Sequence, residues 1–406
     1  MEDIKNPKVY GFISVLSNFG FLFLWLGQLT SQLADRVFVY VLMIIVYQLT
    51  HSNLGVALPL LAFGIPSVLV APWAGVLVDK LDRKWIMVIS DVLRGLLILL
   101  IIPLISKSVG LIFLISLLIY TAAQFFAPAE TSSIPELVEK HNLIVANSLF
   151  MITWMASSVV GFGLGAPLVG ILEEKGTFVA AAVFYFISSA AILLVPIRFR
   201  EAIRGKKSHP LGDLGVGFEF IRRNQVVRYG LLQLFVATSA IATVSLLAIS
   251  YASNILMIGE RNFGYLIIAV GVGMLIGMAT LERLRHYLRL GTIVVISFLL
   301  SGGVLLWMSN TSEIRLVLFL IMLLGLGNIY ITSSIQTILQ SKIPRQIRGR
   351  VFGLQNMIIN SAFVFPVVLF GFIADMWGIL FAIAALGWVV LLTGVAGIFL
   401  PKFRTV

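Results

Sequence analysis

Long blocks of this sequence carry no charge. Eleven runs lack Asp, Glu, Lys and Arg altogether: 9–34, 37–78, 108–129, 141–172, 176–197, 229–259, 262–281, 290–312, 316–341, 351–374 and 376–401. A helix needs about 20 mainly apolar residues to cross a hydrocarbon core about 30 Å thick. Most runs hold one such span. The run 37–78 holds the end of one span and all of the next, because His51-Ser52-Asn53 interrupts it with turn-forming residues. A further span over 84–106 carries Asp91 and Arg94 near its start. The expectation is an all-α membrane protein of twelve transmembrane helices. Composition agrees, since 12% charged residues is half the soluble norm of about 25%. Blocks this continuous also differ from the short alternating segments of a β-barrel.

Net charge of +11 would suit nucleic acid if it were spread over a surface, but the basic residues track alternate loops. With the N-terminus placed inside, 24 of the 29 lysines and arginines fall on inner segments, 4 on outer loops, and Arg36 within a span. This asymmetry encodes orientation: both termini cytoplasmic, in an inner or plasma membrane, with the bilayer as partner and no nucleic acid. The N-terminus lacks the pattern of a removable signal peptide, so the first span is expected to be retained. Zero cysteines exclude disulfides, thiol catalysis and Cys-based zinc sites. No G-x-x-x-x-G-K-[ST] phosphate loop is present, and His51, His141, His209 and His286 are too scattered for a metal site. No enzyme activity, cofactor or metal is expected.

The longest hydrophilic interruption, about Arg198 to Arg228, divides six spans from six. The expected organisation is a bundle over 1–200, a linker over 201–224 and a second bundle over 225–406. Within the linker, Leu211, Leu214, Phe218 and Ile221 recur at helical steps among Asp213, Glu219, Arg222 and Arg223, the pattern of a short amphipathic surface helix. The halves repeat: T-S-S-I stands at Thr131–Ile134 and Thr332–Ile335, and Gly170 and Gly176 match Gly371 and Gly378 at almost the same offset. Internal duplication is the usual construction of secondary transporters.

The loop after the second span reads G-V-L-V-D-K-L-D-R-K, Gly75 to Lys84. It resembles the cytoplasmic signature of the major facilitator superfamily, G-x-x-x-D-R-x-G-R-R/K, with Lys80 for one arginine and Asp82 for the second glycine. Gly75 would permit close helix approach, Asp79 would face the positive N-terminal end of another helix, and Arg83 and Lys84 would pair with nearby acids. The resemblance implies a conformational latch, to which Arg94 is also assigned. Span five holds G-F-G-L-G-A-P-L-V-G, similar to the glycine-proline motif of exporters in that superfamily: Gly161 and Gly165 offer a packing face continued by Gly170, and Pro167 would bend the helix. Two further stretches, S-Q-L-A-D-R with V-Y-Q-L-T-H-S and F-F-A-P-A-E-T-S-S-I-P-E-L-V with L-I-V-A-N-S-L, resemble the branch of macrolide-efflux proteins and the enterobactin exporter.

Asp35 falls near the middle of span one, where a charge costs at least about 2.5 kcal/mol and needs a reason. Gln28, Ser31, Gln32 and Asp35 share one helical stripe expected to face a central cavity, so Asp35 can bind a proton or a cationic substrate. The alternative is an internal ion pair with Arg36. Glu130, in span four, is expected beside Arg83 and Arg94, with a proton relay as the other reading. Gln124 adds to the polar lining. In the second half Thr243, Asn254, Asn328, Thr332, Gln336, Asn356 and Asn360 form uncharged stripes that serve either substrate or interhelical hydrogen bonds. The function expected is export of an amphiphilic small molecule, of drug, antibiotic or siderophore type, by proton antiport from a monomer. A lipid or lysolipid flippase of the same fold, and a non-transporting sensor, are the competing readings.

Overall fold

A computed structural model of the chain describes residues 12–78, 80–105, 108–196, 210–344, 346–400 and 403. In order these form α1 (Phe12–Leu16), α2 (Phe19–Thr50), α3 (Asn53–Leu69), α4 (Ala71–Val78), α5 (Arg83–Ile101), α6 (Val109–Leu137), α7 (Leu143–Leu193), α8 (Pro210–Arg223), α9 (Gln225–Asn254), α10 (Gly264–Leu284), α11 (Leu290–Met308), α12 (Ile314–Lys342), α13 (Arg348–Ser361), α14 (Phe365–Trp377) and α15 (Ile379–Ile398). Among the described residues ten helical stretches are long and apolar enough to cross a membrane, and Asn53–Leu69 is a shorter apolar helix.

The breaks fall where polar residues interrupt the apolar runs. At 51 residues and about 1.5 Å per residue, α7 would reach about 77 Å, more than twice a hydrocarbon core. It breaks at Glu173, whose φ of 57° and ψ of −177° are non-helical. The charged triplet Glu173-Glu174-Lys175 thus ends one arm and begins the next. His51, with φ 49°, turns the chain between α2 and α3, as its polar neighbours lead one to expect. The span expected over 351–374 is bent into α13 and α14, with Pro366 in the first turn of α14, a position where its missing N–H costs nothing.

The chain forms two compact units, Met1–Val41 with Leu69–Gly205, and Leu42–Val68 with Lys206–Val406. In the first, α5 packs on α6 and α7 while α4 packs on α6. Its core includes Phe21, Leu24, Met87, Phe126, Phe150 and Ile192. In the second, α11 packs on α12 and α15 while α10 packs on α12. One packing order therefore recurs in both units. In the second unit the backbones of α10 and α12 meet directly, and a Cβ on Gly273 or Gly325 would collide with the carbonyl of Met322 or Val270.

The amphipathic element appears as α8, although residues 197–209, which include the expected boundary at 200/201, lie outside the described residues, as do the side chains of Leu211, Asp213 and Leu214. Arg222 and Arg223 pair with Glu219 at 3.0 and 2.5 Å and hold its carboxyl below the ordinary range. Phe218 is exposed.

Candidate functional site

Arg94 lies eleven residues into α5, about 16 Å along the helix, or half the depth of a hydrocarbon core. It is 1% exposed. Its guanidinium pairs with Asp91, one turn earlier on α5, and Nη1 reaches Oδ1 of Asp35 at 3.3 Å. Nη2 donates to the Ser31 hydroxyl at 2.9 Å. The charged plane also lies over Tyr185 and Phe126, with 4.4 and 5.0 Å to the ring centroids. Such stacking suits a guanidinium in a poorly hydrated site.

The two aspartates have different surroundings. Asp91 is fully buried and receives Ser188 Oγ at 2.5 Å and Ser31 Oγ at 3.3 Å in addition to Arg94. The Asp35 side chain keeps 26% of its surface open and accepts the Tyr185 hydroxyl at 2.5 Å. Glu130, on α6, is buried with Oε1 lacking a hydrogen-bond partner, and it feels the charges of Asp91, Arg94 and Asp35. Three carboxyl groups thus gather around the Arg94 guanidinium, and the charge of Arg36 reaches Asp35 from the same helix.

The alternative pairing of Asp35 with Arg36 does not form, and the ion pair Asp35 makes is with Arg94. Successive helical residues point about 100° apart, so Asp35 turns to α5 and α7 while Arg36 lies over Trp154, 5.9 Å from the ring centroid. The stem of Arg36 rests on Gly161, and the ring of Tyr40 fills the place a Cβ would take on Gly165. The glycine face of span five is therefore a packing surface for α2. Replacing Gly165 by Val overlaps the fully buried Tyr40 and is expected to cost about 1–3 kcal/mol, read as a lower melting temperature of the purified protein. Gly170 has no heavy atom within 4 Å of its would-be Cβ, and the helix runs on through Pro167 to the break at Glu173.

The signature loop is built separately from the cluster. Arg83 pairs with Glu136, not Glu130, and donates to the Ser132 carbonyl at 2.9 Å. Lys84 Nζ donates to the Val195 carbonyl at 2.9 Å. Asp82, which departs from the signature's glycine, accepts the Lys84 N–H at 2.9 Å and caps α5. Asp79 lies outside the described residues. The close approach expected at Gly75 is absent, with nothing within 4 Å of its would-be Cβ, because the neighbouring Trp73 and Leu77 on α4 are themselves exposed.

The remaining polar residues mostly bond to other helices or to their own. Gln28 reaches the Phe150 carbonyl at 3.4 Å, Gln32 is half-buried, and Gln124 bonds the Tyr120 carbonyl at 3.1 Å. Asn254 donates to the Tyr47 hydroxyl at 3.1 Å and Asn328 to the Ala237 carbonyl at 3.2 Å. Thr332 bonds back to Asn328 at 2.9 Å, and Gln336 accepts from Gln355 at 2.7 Å. Thr243 is buried with its hydroxyl unpartnered. Asn356 is exposed and Asn360 half-buried. Asn328 also edges a small apolar pocket lined by Ala237, Ile241, Val244 and Phe298.

Comparison with known proteins places the chain among transporters. The family model described as Major Facilitator Superfamily matches residues 24–367. The uncharacterized MFS-type transporter YfiS of Bacillus subtilis is 25% identical over 92% of this chain and 91% of its own. Macrolide efflux protein A of Streptococcus pyogenes is 22% identical over 88% of this chain and 90% of its own. The enterobactin exporter EntS of Escherichia coli O1:K1 / APEC is 26% identical over 76% and 74%. The crystal structure of the nucleoside transporter NupG matches the fold with a TM-score of 0.77 at 12% identity, over 95% of this chain and 100% of that one.

Proposed function

This chain belongs to the Major Facilitator Superfamily, and we propose that it is a proton-coupled exporter of amphiphilic small molecules that works by alternating access. It is a membrane transporter and not an enzyme. Within the proposal the helices make twelve crossings, counting α7 as two arms, α3 with α4 as one span and α13 with α14 as another. They divide into two six-helix bundles, with both termini cytoplasmic.

The observation that carries the reading is the charge imbalance around Arg94. Arg94 reaches Asp35, Asp91 and Glu130, and the neighbouring Arg36 adds its charge only at Asp35, so three carboxyls face two guanidinium groups and one carboxyl is left in excess. Burying uncompensated charge costs several kcal/mol, so the cluster must take up a cation, and a proton is the smallest available. Asp91 is closed in by Arg94 and two serines, and Glu130 is buried. Asp35 is the carboxyl with an open face, so it is the one that exchanges.

Antiport follows if a proton and the cationic end of an amphiphile compete for Asp35. Protonated Asp35 releases the substrate outside. Proton loss to the cytoplasm restores the carboxylate for the next molecule. Export is the direction favoured by the likeness to proteins named for macrolide and enterobactin efflux. An efflux screen over chemically varied amphiphiles, with and without a protonophore, tests the reading. Extrusion of one compound that stops with the protonophore supports it. Extrusion indifferent to the protonophore, with movement of labelled lipid in proteoliposomes, would instead make the chain a flippase.

A further inference from the structure

Asp375 stands at the C-terminal end of α14 with both carboxylate oxygens occupied by the start of α3. It accepts the Asn53 and Leu54 N–H groups at 2.7 and 3.0 Å, the Asn53 amide at 2.9 Å and the Ser52 hydroxyl at 2.5 Å. Asn53 and Leu54 open a 17-residue helix that Ser52 immediately precedes, and in that first turn backbone N–H groups have no intrahelical partner and the dipole favours an anion. The junction is reinforced on both sides. Ser250 of α9 bonds Asn53 Oδ1, and Gly371, one turn before Asp375, brings α14 within 3.2–3.4 Å of the Asn53–Leu54 backbone as a Cβ would meet it. The result fastens residues 42–68 into the unit formed with residues 206–406, although α2 begins in the other unit.

We propose that Asp375 is a positioning residue of the transport cycle: its carboxylate clamps the N-terminal end of span two to span eleven and holds one side of the transporter closed. The clamp is the counterpart of the role the signature assigns to Asp79 at the other end of span two, an acid facing a helix N-terminus. Alternating access then requires that the Asp375 clamp break when the side it guards opens. The proposal rests on the alternating-access reading above.

The chain contains no cysteine, so two can be introduced for spin labels without background. Leu49→Cys on α2 and Met376→Cys on α14 are at exposed positions beside the clamp and outside it. Distance distributions measured in lipid nanodiscs are expected to show a dominant short population. Asp375→Ala removes four charge-assisted hydrogen bonds, and the ratio of long to short distances should rise about tenfold. Asn53→Ala should shift it in the same direction by less. An Asp375→Ala distribution identical to the parent, with only a lower melting temperature, would reduce the residue to a structural cap and overturn the proposal. That outcome leaves flux intact as a separate readout: absence of transport of any solute counts against the transporter reading, and an unchanged distance distribution counts against the clamp.

Discussion

Arg94→Gln is expected to be the most damaging single substitution in the chain. It leaves Asp91, fully buried, without its paired guanidinium, and removes the cation that lies over the rings of Tyr185 and Phe126. Breaking a buried ion pair by deleting one partner costs about 3–5 kcal/mol, mostly because the remaining charge is uncompensated. That is a large share of the 5–15 kcal/mol by which proteins are usually stable. The variant should express poorly and lose its monodisperse peak in gel filtration at temperatures the parent survives. Adding Asp91→Asn to it removes the orphaned charge and keeps the hydrogen bond from Ser188. The double variant should therefore recover much of the lost stability, even though it has lost two charged groups. A double variant as unstable as Arg94→Gln would mean that packing, and not charge, dominates at this position.

The membrane architecture is readable from sequence because the bilayer imposes one crude rule on every span. Charge-free runs locate α2, α6, α9, α10, α11, α12 and α15, the apolar stretch around Asp91 and Arg94 locates α5, and the turn residues His51-Ser52-Asn53 mark the α2/α3 junction. The acid–arginine cluster is harder to read. Its members come from α2, α5, α6 and α7, and nothing in the spacing of Asp35, Glu130 and Tyr185 says that these helices meet. Part of it was nevertheless accessible. Asp91 and Arg94 are three residues apart, the spacing at which helical side chains pair, and eleven residues of helix after Arg83 carry Arg94 to mid-membrane. Glu130 lies within the field of Arg94, one of its two expected neighbours, while Arg83 takes Glu136 as its partner. Asp82 teaches the opposite lesson. It reads as a defect in the signature, yet its carboxylate caps α5, a local role legible from an acid placed just before a helix.

Asp35→Asn is the second large effect, and it should fall on coupling more than on stability. Asparagine keeps the shape and an acceptor for the Tyr185 hydroxyl, and Arg94 retains Asp91. What disappears is the one partly open carboxyl of the cluster, and with it the group for which proton and substrate compete. A carrier without that group can still move substrate down its gradient, but it has no way to harvest a proton gradient.

The direct test is accumulation in proteoliposomes under an imposed pH gradient of about one unit, using a compound that the efflux screen identifies. One-for-one antiport stores about 1.4 kcal/mol per pH unit, so the parent protein should concentrate the compound about tenfold. Asp35→Asn should equilibrate the same compound to a ratio of about one while still exchanging labelled for unlabelled substrate. Accumulation by Asp35→Asn at the parental level, or a parent protein indifferent to the gradient, would contradict proton coupling through Asp35.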